Sequence, residues 1–240
     1  MLYHRNPLAT RCADKYAVRS YVEELGLGSL LPRQYGVYER VDEIDFSKLP
    51  QQHVLKCTHG CGFNIICADK DKLDVRDAKR KLKKWLNVDF SKVKGEVHYA
   101  GIKPRIVCQE YLSESENELP SDYKIYCFNG MPHCTMACTE RMPNGPAKYD
   151  FYDLEWKNKL PYSRTSLLAN RTIAKPKGYE EMIAAAAKLS RPFLFVRIDF
   201  YSIKGKPVFG EMTLTPSGCV DKNYTDIAQM EMGALIKLPK

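Results

Sequence analysis

The sequence predicts an α+β fold built as one two-lobed unit. Its 240 residues correspond to about 1.6 domains if a domain has about 150 residues. Hydrophobic residues make up 44% of the chain and charged residues 28%, which is typical of a folded soluble protein and not of a disordered or coiled-coil chain. The expected strands and helices do not alternate as a regular βαβ repeat, and this order favours α+β layers.

The first part of the chain is expected to contain a helix, a hairpin and a second helix. Asp14 is a good N-cap for the first helix, and the glycines from Gly26 onward end it. Segment 53–56 predicts a strand, followed by a glycine-containing turn over 57–64 and a partner strand over 65–67. The second helix is basic, and its apolar residues recur at helical spacing: Val75, Ala78, Leu82, Trp85 and Leu86.

The second part is expected to contain two hairpins and one helix. A strand over 105–112 precedes them, and 113–118 is expected to be a surface connection. The further expected elements are strands 123–128 and 133–139 joined at Asn129-Gly130, a long functional loop over 143–177, a helix over 178–189, and strands 193–201 and 207–213.

The charge of the chain favours an anionic partner. Lysine and arginine number 37 against 29 acidic residues, a net charge of +8. Much of the excess lies at 79–84, where a solvated helix face is a simpler explanation than a polyanion site. No nucleic-acid partner is expected. The longest nearly uncharged apolar stretch, 182–189, is far short of the roughly 20 residues that span a bilayer, and the first residues lack a secretory pattern, so a cytoplasmic location is expected.

The cysteines are expected to be reduced thiols in the core. There are nine of them, an odd number, in a chain too large to need disulfides. Two mixed sets leave structural zinc as an alternative, although neither has the paired Cys-x-x-Cys spacing of strong zinc motifs. These sets are Cys57, His59 and Cys61, and His133, Cys134 and Cys138.

The strongest candidate site lies on the two last expected strands. Alternation places Arg197 and Asp199 on one face of the first strand, and Glu211 and Thr213 on one face of the second. If the hairpin pairs them, two carboxylates converge beside one guanidinium. Such oxygen ligands suit Mg²⁺ together with substrate phosphates. A solvent-facing hairpin with ordinary charges remains the alternative explanation.

A second candidate is Lys56 at a strand end, followed by the turn that contains Gly60 and Gly62. Small residues let backbone N–H groups approach phosphate oxygens. The spacing lacks the Gly-Lys-Ser/Thr ending that precedes a helix in a P-loop, which excludes that motif. An ordinary hairpin turn is the simpler interpretation of these residues taken alone.

Six segments together carry a family resemblance: 13–19, 54–56 with the turn that follows, 109–112, 122–130, 196–201 and 210–218. In this order, and over almost the whole chain, they resemble the TupA-like branch of the ATP-grasp superfamily, whose members are associated with teichuronopeptide and capsular polysaccharide synthesis. The resemblance implies the ATP-grasp fold, with α+β lobes at 1–112 and 113–240 and a nucleotide cleft between them. Relatives carry several tens of residues before the equivalent of Tyr3, which implies an N-terminally truncated member.

The resemblance assigns nucleotide-binding roles in the first lobe and at its end. Lys15 and Lys56 would lie near the phosphates of ATP, with the turn containing Gly60 and Gly62 as a flexible lid. The hinge would present backbone groups to adenine, and Glu110 would reach the adenine or the ribose. The hinge residues are Gln109, Glu110, Tyr111 and Leu112.

In the second lobe the resemblance implies phosphate and metal contacts. Lys124 would be a further phosphate contact, although a solvent-facing strand lysine is the alternative. Asp199 and Glu211 would hold Mg²⁺, and Arg197 would neutralise charge on the transferred phosphoryl group. Thr213 stands where ATP-grasp enzymes often have an Asn ligand. Segment 151–157 is similar to the loop that closes over the γ-phosphate in D-alanine ligases, which implies a contact from Lys157.

The function that the resemblance implies is an ATP- and Mg²⁺-dependent ligase that joins a carboxylate to an amine through an acyl phosphate. The carboxylate would belong to a uronic acid of a surface glycan and the amine to an amino acid, with peripheral association with the glycan-assembly machinery. Two alternatives stay open. One is a glycosyltransferase or sugar-nucleotide enzyme, and the other is a degenerate module that binds nucleotide or glycan without turnover.

Overall fold

The structure is a computed structural model that describes residues 6–93, 95–113, 119–141, 147–169 and 171–237. The described residues form two compact units. The first unit contains 6–24 and 31–111, and the second contains 25–30 and the described residues from 112 onward. Within the described ranges, no helix is both long and apolar enough to cross a bilayer.

The described residues of the first unit form a four-stranded antiparallel sheet and three α-helices. Its strand order is β1-β4-β2-β3. The elements are α1 (Pro7–Ala13), α2 (Val18–Glu24), β1 (Gln34–Tyr38), β2 (His53–Cys57), β3 (Asn64–Cys67), α3 (Val75–Leu86) and β4 (Ile106–Glu110). The expected hairpin of β2 and β3 and the expected basic helix are both confirmed by these elements.

The basic helix α3 packs one apolar stripe on the sheet. Asp74 caps its N-terminus by accepting a hydrogen bond from the backbone N–H of Asp77. Ala78 and Leu82 are buried against Leu55 and other core residues of β2 and β4. Because only this stripe is covered, the lysines and arginines of the helix stay on its solvent face.

The helix expected from Asp14 is confirmed over Val18–Glu24 as α2, but its expected start is wrong, because a separate short helix, α1, ends at Ala13. Asn6 caps α1, and Asp14 follows that helix as its C-cap. The Asp14 carboxylate accepts from the backbone N–H of Tyr16 at 2.8 Å, which closes a local turn before α2 begins at Val18. An aspartate side chain that satisfies a nearby N–H competes with helix continuation in this way.

The second unit is a six-stranded antiparallel sheet in the order β10-β9-β5-β6-β7-β8. Its elements are β5 (Asp122–Phe128), β6 (Met131–Thr139), β7 (Lys148–Asp153), β8 (Lys159–Leu160), α4 (Tyr179–Ser190), β9 (Phe195–Ile203), β10 (Lys206–Thr213) and α5 (Asp226–Leu235). The two expected hairpins and the expected helix before β9 are confirmed.

Helices cover the two faces of this sheet. On one face, Tyr179 of α4 hydrogen-bonds Thr135 of β6 at 2.7 Å, and α4 buries Met182 and Leu189. On the other face, Ala228 and Met232 of α5 join the aromatic cluster around β5 and β7. The face under α5 is the one that carries the charged residues described below.

The expected long loop over 143–177 is wrong for its middle part, which forms β7 and β8. Hydrophobic periodicity did not predict these strands, because consecutive residues of β7 are buried, with Phe151 on one face and Tyr152 on the other. Trp156 lies in the turn between these two strands and stacks on Tyr152 with ring centroids 4.3 Å apart. Residues 142–146 and 170 of this expected loop, and 114–118 of the expected connection, lie outside the described residues.

Candidate functional site

The strand register of the second unit places charged residues in one row across three strands. Lys124 of β5 is directly opposite Asp199 of β9, and Asp199 is directly opposite Glu211 of β10. Directly opposed residues of antiparallel strands project from the same face of the sheet. Arg197 and Thr213 form the next row on this face. The hairpin therefore brings together all four residues singled out on its strands.

A bulge at Gly210 aims Glu211 at this row. The register shifts between Phe209 and Glu211, so one extra residue stands on β10. A Cβ atom at Gly210 would lie 2.9 Å from the backbone oxygen of Asp199. Glycine is therefore required for the close approach of the two strands at the point where the carboxylates face each other.

Asp199 is the centre of the charged cluster. Its Oδ1 accepts from Nε of Arg197 at 2.7 Å, and its Oδ2 accepts from Nη2 of Arg197 at 2.8 Å. The same Oδ2 accepts from Nζ of Lys124 at 2.5 Å. Lys124 also donates to Asp122. The side chain of Asp199 is only 4% exposed, so these contacts replace its hydration.

The cluster opens toward solvent at β10. Nη2 of Arg197 donates to the hydroxyl of Thr213 at 3.1 Å and lies 3.7 Å from Oε1 of Glu211. The Glu211 side chain is 36% exposed. A ligand that approaches this face thus meets Glu211 and Thr213 before the more deeply buried carboxylate of Asp199.

The cluster holds its members in their charged forms. Burial alone would raise the pKa of Asp199, but Arg197 and Lys124 outweigh burial and lower the pKa below its ordinary value. Burial would likewise lower the pKa of Lys124 and of Arg197. Carboxylate partners nevertheless raise both pKa values above the ordinary ones. The partners of Lys124 are Asp122 and Asp199, and the main partner of Arg197 is Asp199.

Sequence reasoning missed two members of the cluster. Asp122 lies two residues before Lys124 on the same face, with a nearly buried side chain. Nη1 of Arg141 lies 3.9 Å from Asp122 and donates to the backbone oxygen of Pro120 at 3.0 Å. The spacing of Asp122 and Lys124, two residues apart on one strand, is the pattern that could have revealed Asp122. No sequence pattern reveals Arg141, because it follows the end of β6 and comes close to Asp122 only in the folded sheet.

The donor set fits Mg²⁺ that also binds phosphate oxygens. Asp199 and Glu211 supply carboxylate oxygens, and Thr213 supplies a hydroxyl on the same face. A carboxylate offers about four acceptor positions, and the cations use three of those on Asp199. No group of three or more His, Cys, Asp or Glu side chains placed to hold a metal occurs within the described residues. Magnesium typically takes one or two carboxylates and completes its shell with water and phosphates.

In the first unit, Lys15 binds the turn that follows Lys56. Lys56 is half-buried on β2, opposite Val107 of β4. Nζ of Lys15 donates to the backbone oxygen of Gly60 at 2.5 Å. A Cβ at Gly60 would lie 2.8 Å from the ring of Phe90, so packing accounts for this glycine. Gly62 has a φ of +76°, which accounts for the other glycine.

The expected hinge residues lie at the end of β4. Gln109 is buried and shares a face of the sheet with Lys56, the face opposite the α3 core. The Glu110 carboxylate accepts from the backbone N–H of Arg33 at 3.2 Å. Tyr111 ends the first unit, and Leu112 begins the main segment of the second.

The structure does not bring Lys157 to the charged cluster. Lys157 lies in the turn between β7 and β8, and its exposed side chain pairs with Glu155. Two strands, β5 and β6, separate β7 from β9 in the sheet. The neighbouring Trp156 packs on Tyr179, on the face that α4 covers. The contact of Lys157 with a γ-phosphate stays a prediction.

The cysteines are mostly buried. Seven of the nine are buried thiols, and the exposed ones are Cys61 and Cys219. The two sets considered for zinc do not assemble as metal-holding groups in the described part of the chain. Burial raises the pKa of Cys57 to about 12, which keeps that thiol protonated at neutral pH.

Comparisons with known proteins identify the fold as ATP-grasp. A D-alanine–D-alanine ligase from Bacillus anthracis complexed with ATP is similar at a TM-score of 0.55 and 13% identity, with 93% of this chain and 61% of that chain covered. An L-amino acid ligase from Bacillus licheniformis is similar at 0.55 and 16%, with 89% and 46% covered. The ATP-grasp ligase PsnB complexed with its minimal precursor is similar at 0.51 and 13%, with 97% and 62% covered.

The sequence defines the family more narrowly. The model of the TupA-like ATP-grasp family matches residues 1–237, and the chain therefore belongs to this family. The chain spans about half to three fifths of the length of the solved structures that it resembles. No curated protein matches the sequence. The expected family and the expected ATP-grasp fold are thus confirmed.

Proposed function

We propose that the protein is an ATP- and Mg²⁺-dependent ligase that joins a carboxylate to an amine. The observation that carries the proposal is the cluster in which Asp199 is paired with both Lys124 and Arg197, beside Glu211, on the sheet of an ATP-grasp fold. Membership of the TupA-like ATP-grasp family supports the same class of reaction. Fixed cations next to metal-binding oxygens suit the transfer of a phosphoryl group.

The proposed reaction has two steps. A carboxylate oxygen of the substrate attacks the γ-phosphorus of ATP, the bond to the β-phosphate oxygen breaks, and ADP leaves. The neutral amine nitrogen then attacks the acyl carbon, the bond to the phosphate oxygen breaks, and phosphate leaves while the nitrogen releases a proton to solvent. The protein needs no covalent nucleophile, because binding and orientation bring the reacting groups together.

The charged residues of the second unit have distinct proposed roles. Lys124 and Arg197 hold positive charge that is fixed by Asp199 and does not depend on pH near neutrality. They neutralise charge on phosphate oxygens as the phosphoryl group is transferred. Glu211, Asp199 and Thr213 would hold Mg²⁺, which supplies further neutralisation of the phosphates.

The nucleotide contacts of the first unit follow from the resemblance and stay predictions. Lys15 and Lys56 are assigned to phosphates, and the hinge from Gln109 to Leu112 is assigned to adenine. Two observations support these roles. Lys56 and Gln109 lie on the same face of the first sheet, and Lys15 binds the turn after β2 through Gly60.

The substrates are a finer proposal. The family resemblance favours a carboxylate on a polysaccharide precursor and an amino acid as the amine. The net charge of +8 is compatible with an acidic glycan, because it favours anionic partners. A cytoplasmic site of action beside the glycan-assembly machinery belongs to the same proposal.

The test is ATP cleavage in the presence of Mg²⁺ and panels of uronic acids and amino acids, with products identified by mass spectrometry. The proposal expects ADP, phosphate and an amide in equal amounts, each dependent on both substrates. Turnover of a sugar nucleotide without ATP cleavage would instead indicate the glycosyltransferase alternative. Nucleotide binding that is unchanged in Glu211→Gln, with no turnover of any kind, would indicate a degenerate binding module.

A further inference from the structure

A pocket lies in the second unit between the charged face of the sheet and α5. It encloses about 250 Å³. Tyr126, Phe128 and Phe195 form its aromatic wall on the sheet, and Met232 and Gly233 of α5 line the other side. Its surface is mainly apolar, which favours a ligand with an apolar body.

Hydrogen bonds at both ends of α5 fix the walls of the pocket. At the N-terminal end, the hydroxyl of Thr225 donates to the backbone oxygen of Pro161 at 2.7 Å. At the C-terminal end, Nδ2 of Asn129 donates to the backbone oxygen of Leu235 at 2.6 Å. A preformed pocket spares a ligand the cost of ordering its walls.

The aromatic wall of the pocket is next to the charged cluster on the sheet. Tyr126 is directly opposite Arg197 on the neighbouring strand, and Phe128 is opposite Phe195. Phe195 precedes Arg197 by two residues on the same face, about 7 Å along a strand. On this face of β5 and β9, aromatic side chains thus lie directly beside charged ones. A small molecule is long enough to contact both the aromatic and the charged residues.

The polar groups of the pocket favour a cation. Among the described residues that line it, Asp221 alone carries a charge. Tyr126 and Tyr224 also line the pocket, and their hydroxyls are hydrogen-bonded to each other at 2.5 Å. The Asp221 carboxylate accepts from the backbone N–H of Asn223 at 3.0 Å and from the hydroxyl of Ser217 at 3.3 Å, which leaves about two of its four acceptor positions for a ligand. An ammonium group is the complementary ligand for this carboxylate.

The volume limits the ligand. An apolar protein cavity of about 150 Å³ holds benzene. A volume of about 250 Å³ therefore accommodates a six-membered ring with a short chain that ends in an amino group.

We propose that this pocket binds the amine substrate as a primary amine with an aromatic or branched apolar side chain, held at its ammonium by Asp221. The assignment rests on the proposed ligase function, because only that function requires an amine beside Arg197. It names the class of amine that the family resemblance leaves open.

Binding is tested on the full chain with three probes, measured by calorimetry without ATP. The probes are 2-phenylethylamine, 2-phenylethanol and ethylamine. The amine with the ring is expected to bind at least about tenfold more tightly than the alcohol, which lacks the charge. It is also expected to bind at least about tenfold more tightly than ethylamine, which lacks the apolar body. Equal affinity for the three probes would overturn the proposal.

Variants locate the bound probe. A Cβ at Gly233 meets no atom within 4 Å, so Gly233→Phe places a ring into the pocket and should abolish binding. Met230→Phe is the matched control on the exposed side of the same helix and should bind normally. Asp221→Asn, at a half-buried position, should weaken the amine about tenfold without changing the alcohol. Unchanged binding in both Gly233→Phe and Asp221→Asn would overturn the proposal even if one variant folds poorly.

Carboxylate-dependent ATP cleavage, measured in parallel, separates this inference from the proposed function. If cleavage occurs but Gly233→Phe leaves the KM of the apolar amine unchanged, the pocket assignment is wrong and the ligase function stands. If the probe binds in the pocket but no carboxylate stimulates ATP cleavage, the ligase function is wrong and the pocket is an amine site with another purpose.

Discussion

Lys124 and Asp199 face each other across two antiparallel strands, and Nζ of the lysine lies 2.5 Å from Oδ2 of the carboxylate. Both side chains are almost excluded from water, at 13% and 4% exposure. Asp199 is also bound by two nitrogens of Arg197. The register of β5 on β9 therefore determines where two fixed positive charges lie on the sheet.

Asp199→Asn is expected to destabilise the protein by about 3 to 5 kcal/mol, because the change removes the carboxylate that binds both nitrogens of Arg197 and leaves Lys124 with Asp122. Glu211→Gln should cost less than about 1 kcal/mol, since the Glu211 side chain is 36% exposed and 3.7 Å from Arg197. Urea unfolding of the full-length variants measures both losses of stability. Equal losses in the two variants would show that Asp199 is not the centre of the cluster.

Arg197→Lys is expected to lower kcat by about 10²-fold, because a lysine cannot reproduce the two parallel hydrogen bonds to Asp199. Arg191→Lys, an exposed position just before β9, is the matched control and should keep the parental rate. Steady-state release of phosphate compares the two. A normal rate in Arg197→Lys would exclude charge neutralisation by the guanidinium as a major contribution.

Divalent metal is expected to bind tightly only together with nucleotide. Three carboxylates of the cluster, Asp122, Asp199 and Glu211, face three cations, Lys124, Arg141 and Arg197, so the protein alone offers little net negative charge to a metal. Titration with Mn²⁺ as a spectroscopic probe should give at least tenfold tighter binding when ATP is present. Equally tight binding without ATP would contradict the assignment.

The first unit should lose stability as the pH falls below neutrality. Burial lowers the pKa of His98 from 6.5 to about 4, and burial also lowers the pKa values of His53 and His59. Between pH 6.5 and about pH 4, His98 binds a proton in the unfolded chain but not in the folded protein. The free energy of unfolding therefore decreases as the pH decreases. The contribution of His98 is about 3 kcal/mol at most.

Urea unfolding between pH 7 and pH 4.5 measures this dependence. His98→Gln removes the titrating group and should flatten the profile, with the remaining slope due to the other two histidines. The histidine account fails if the slope is the same in His98→Gln and in the parent protein.

Lys15→Met should loosen the turn after β2. The lysine donates to the backbone oxygen of Gly60, and its loss should speed hydrogen exchange of amides over 58–62 and raise the KM for ATP. Lys48→Met is the control, because that lysine is 84% exposed and pairs with nearby Asp45. Faster exchange with an unchanged KM would assign Lys15 to the turn and not to the nucleotide.

Local patterns predicted the hairpins well and the cluster in part. Alternation is sufficient to place Arg197 and Asp199 on one face, and the paired register then follows from a short turn. The bulge at Gly210 could not be predicted, because it depends on the approach of that glycine to the backbone of Asp199. Arg141 reaches Asp122 only through the folded sheet, so no local pattern reveals the contact.

The errors in the fold have physical causes as well. Aspartate is a favourable N-cap residue, but Asp14 follows a helix, and its carboxylate accepts a backbone hydrogen bond in the turn after that helix. β7 is buried on both faces, so its residues show no period of two. Helix α5 was missed because its exposed side carries apolar residues such as Ile227 and Met230, which obscures the amphipathic pattern of the helix.

The central claim is that a carboxylate is activated by the γ-phosphate of ATP at the cluster around Asp199. Hydroxylamine tests it directly, because this nucleophile captures an acyl phosphate as a stable hydroxamate. With ATP, Mg²⁺ and a carboxylate substrate, the account predicts hydroxamate, ADP and phosphate in equal amounts, and none of them in Glu211→Gln. Release of AMP and pyrophosphate, or ADP formation that no carboxylate changes, would contradict it.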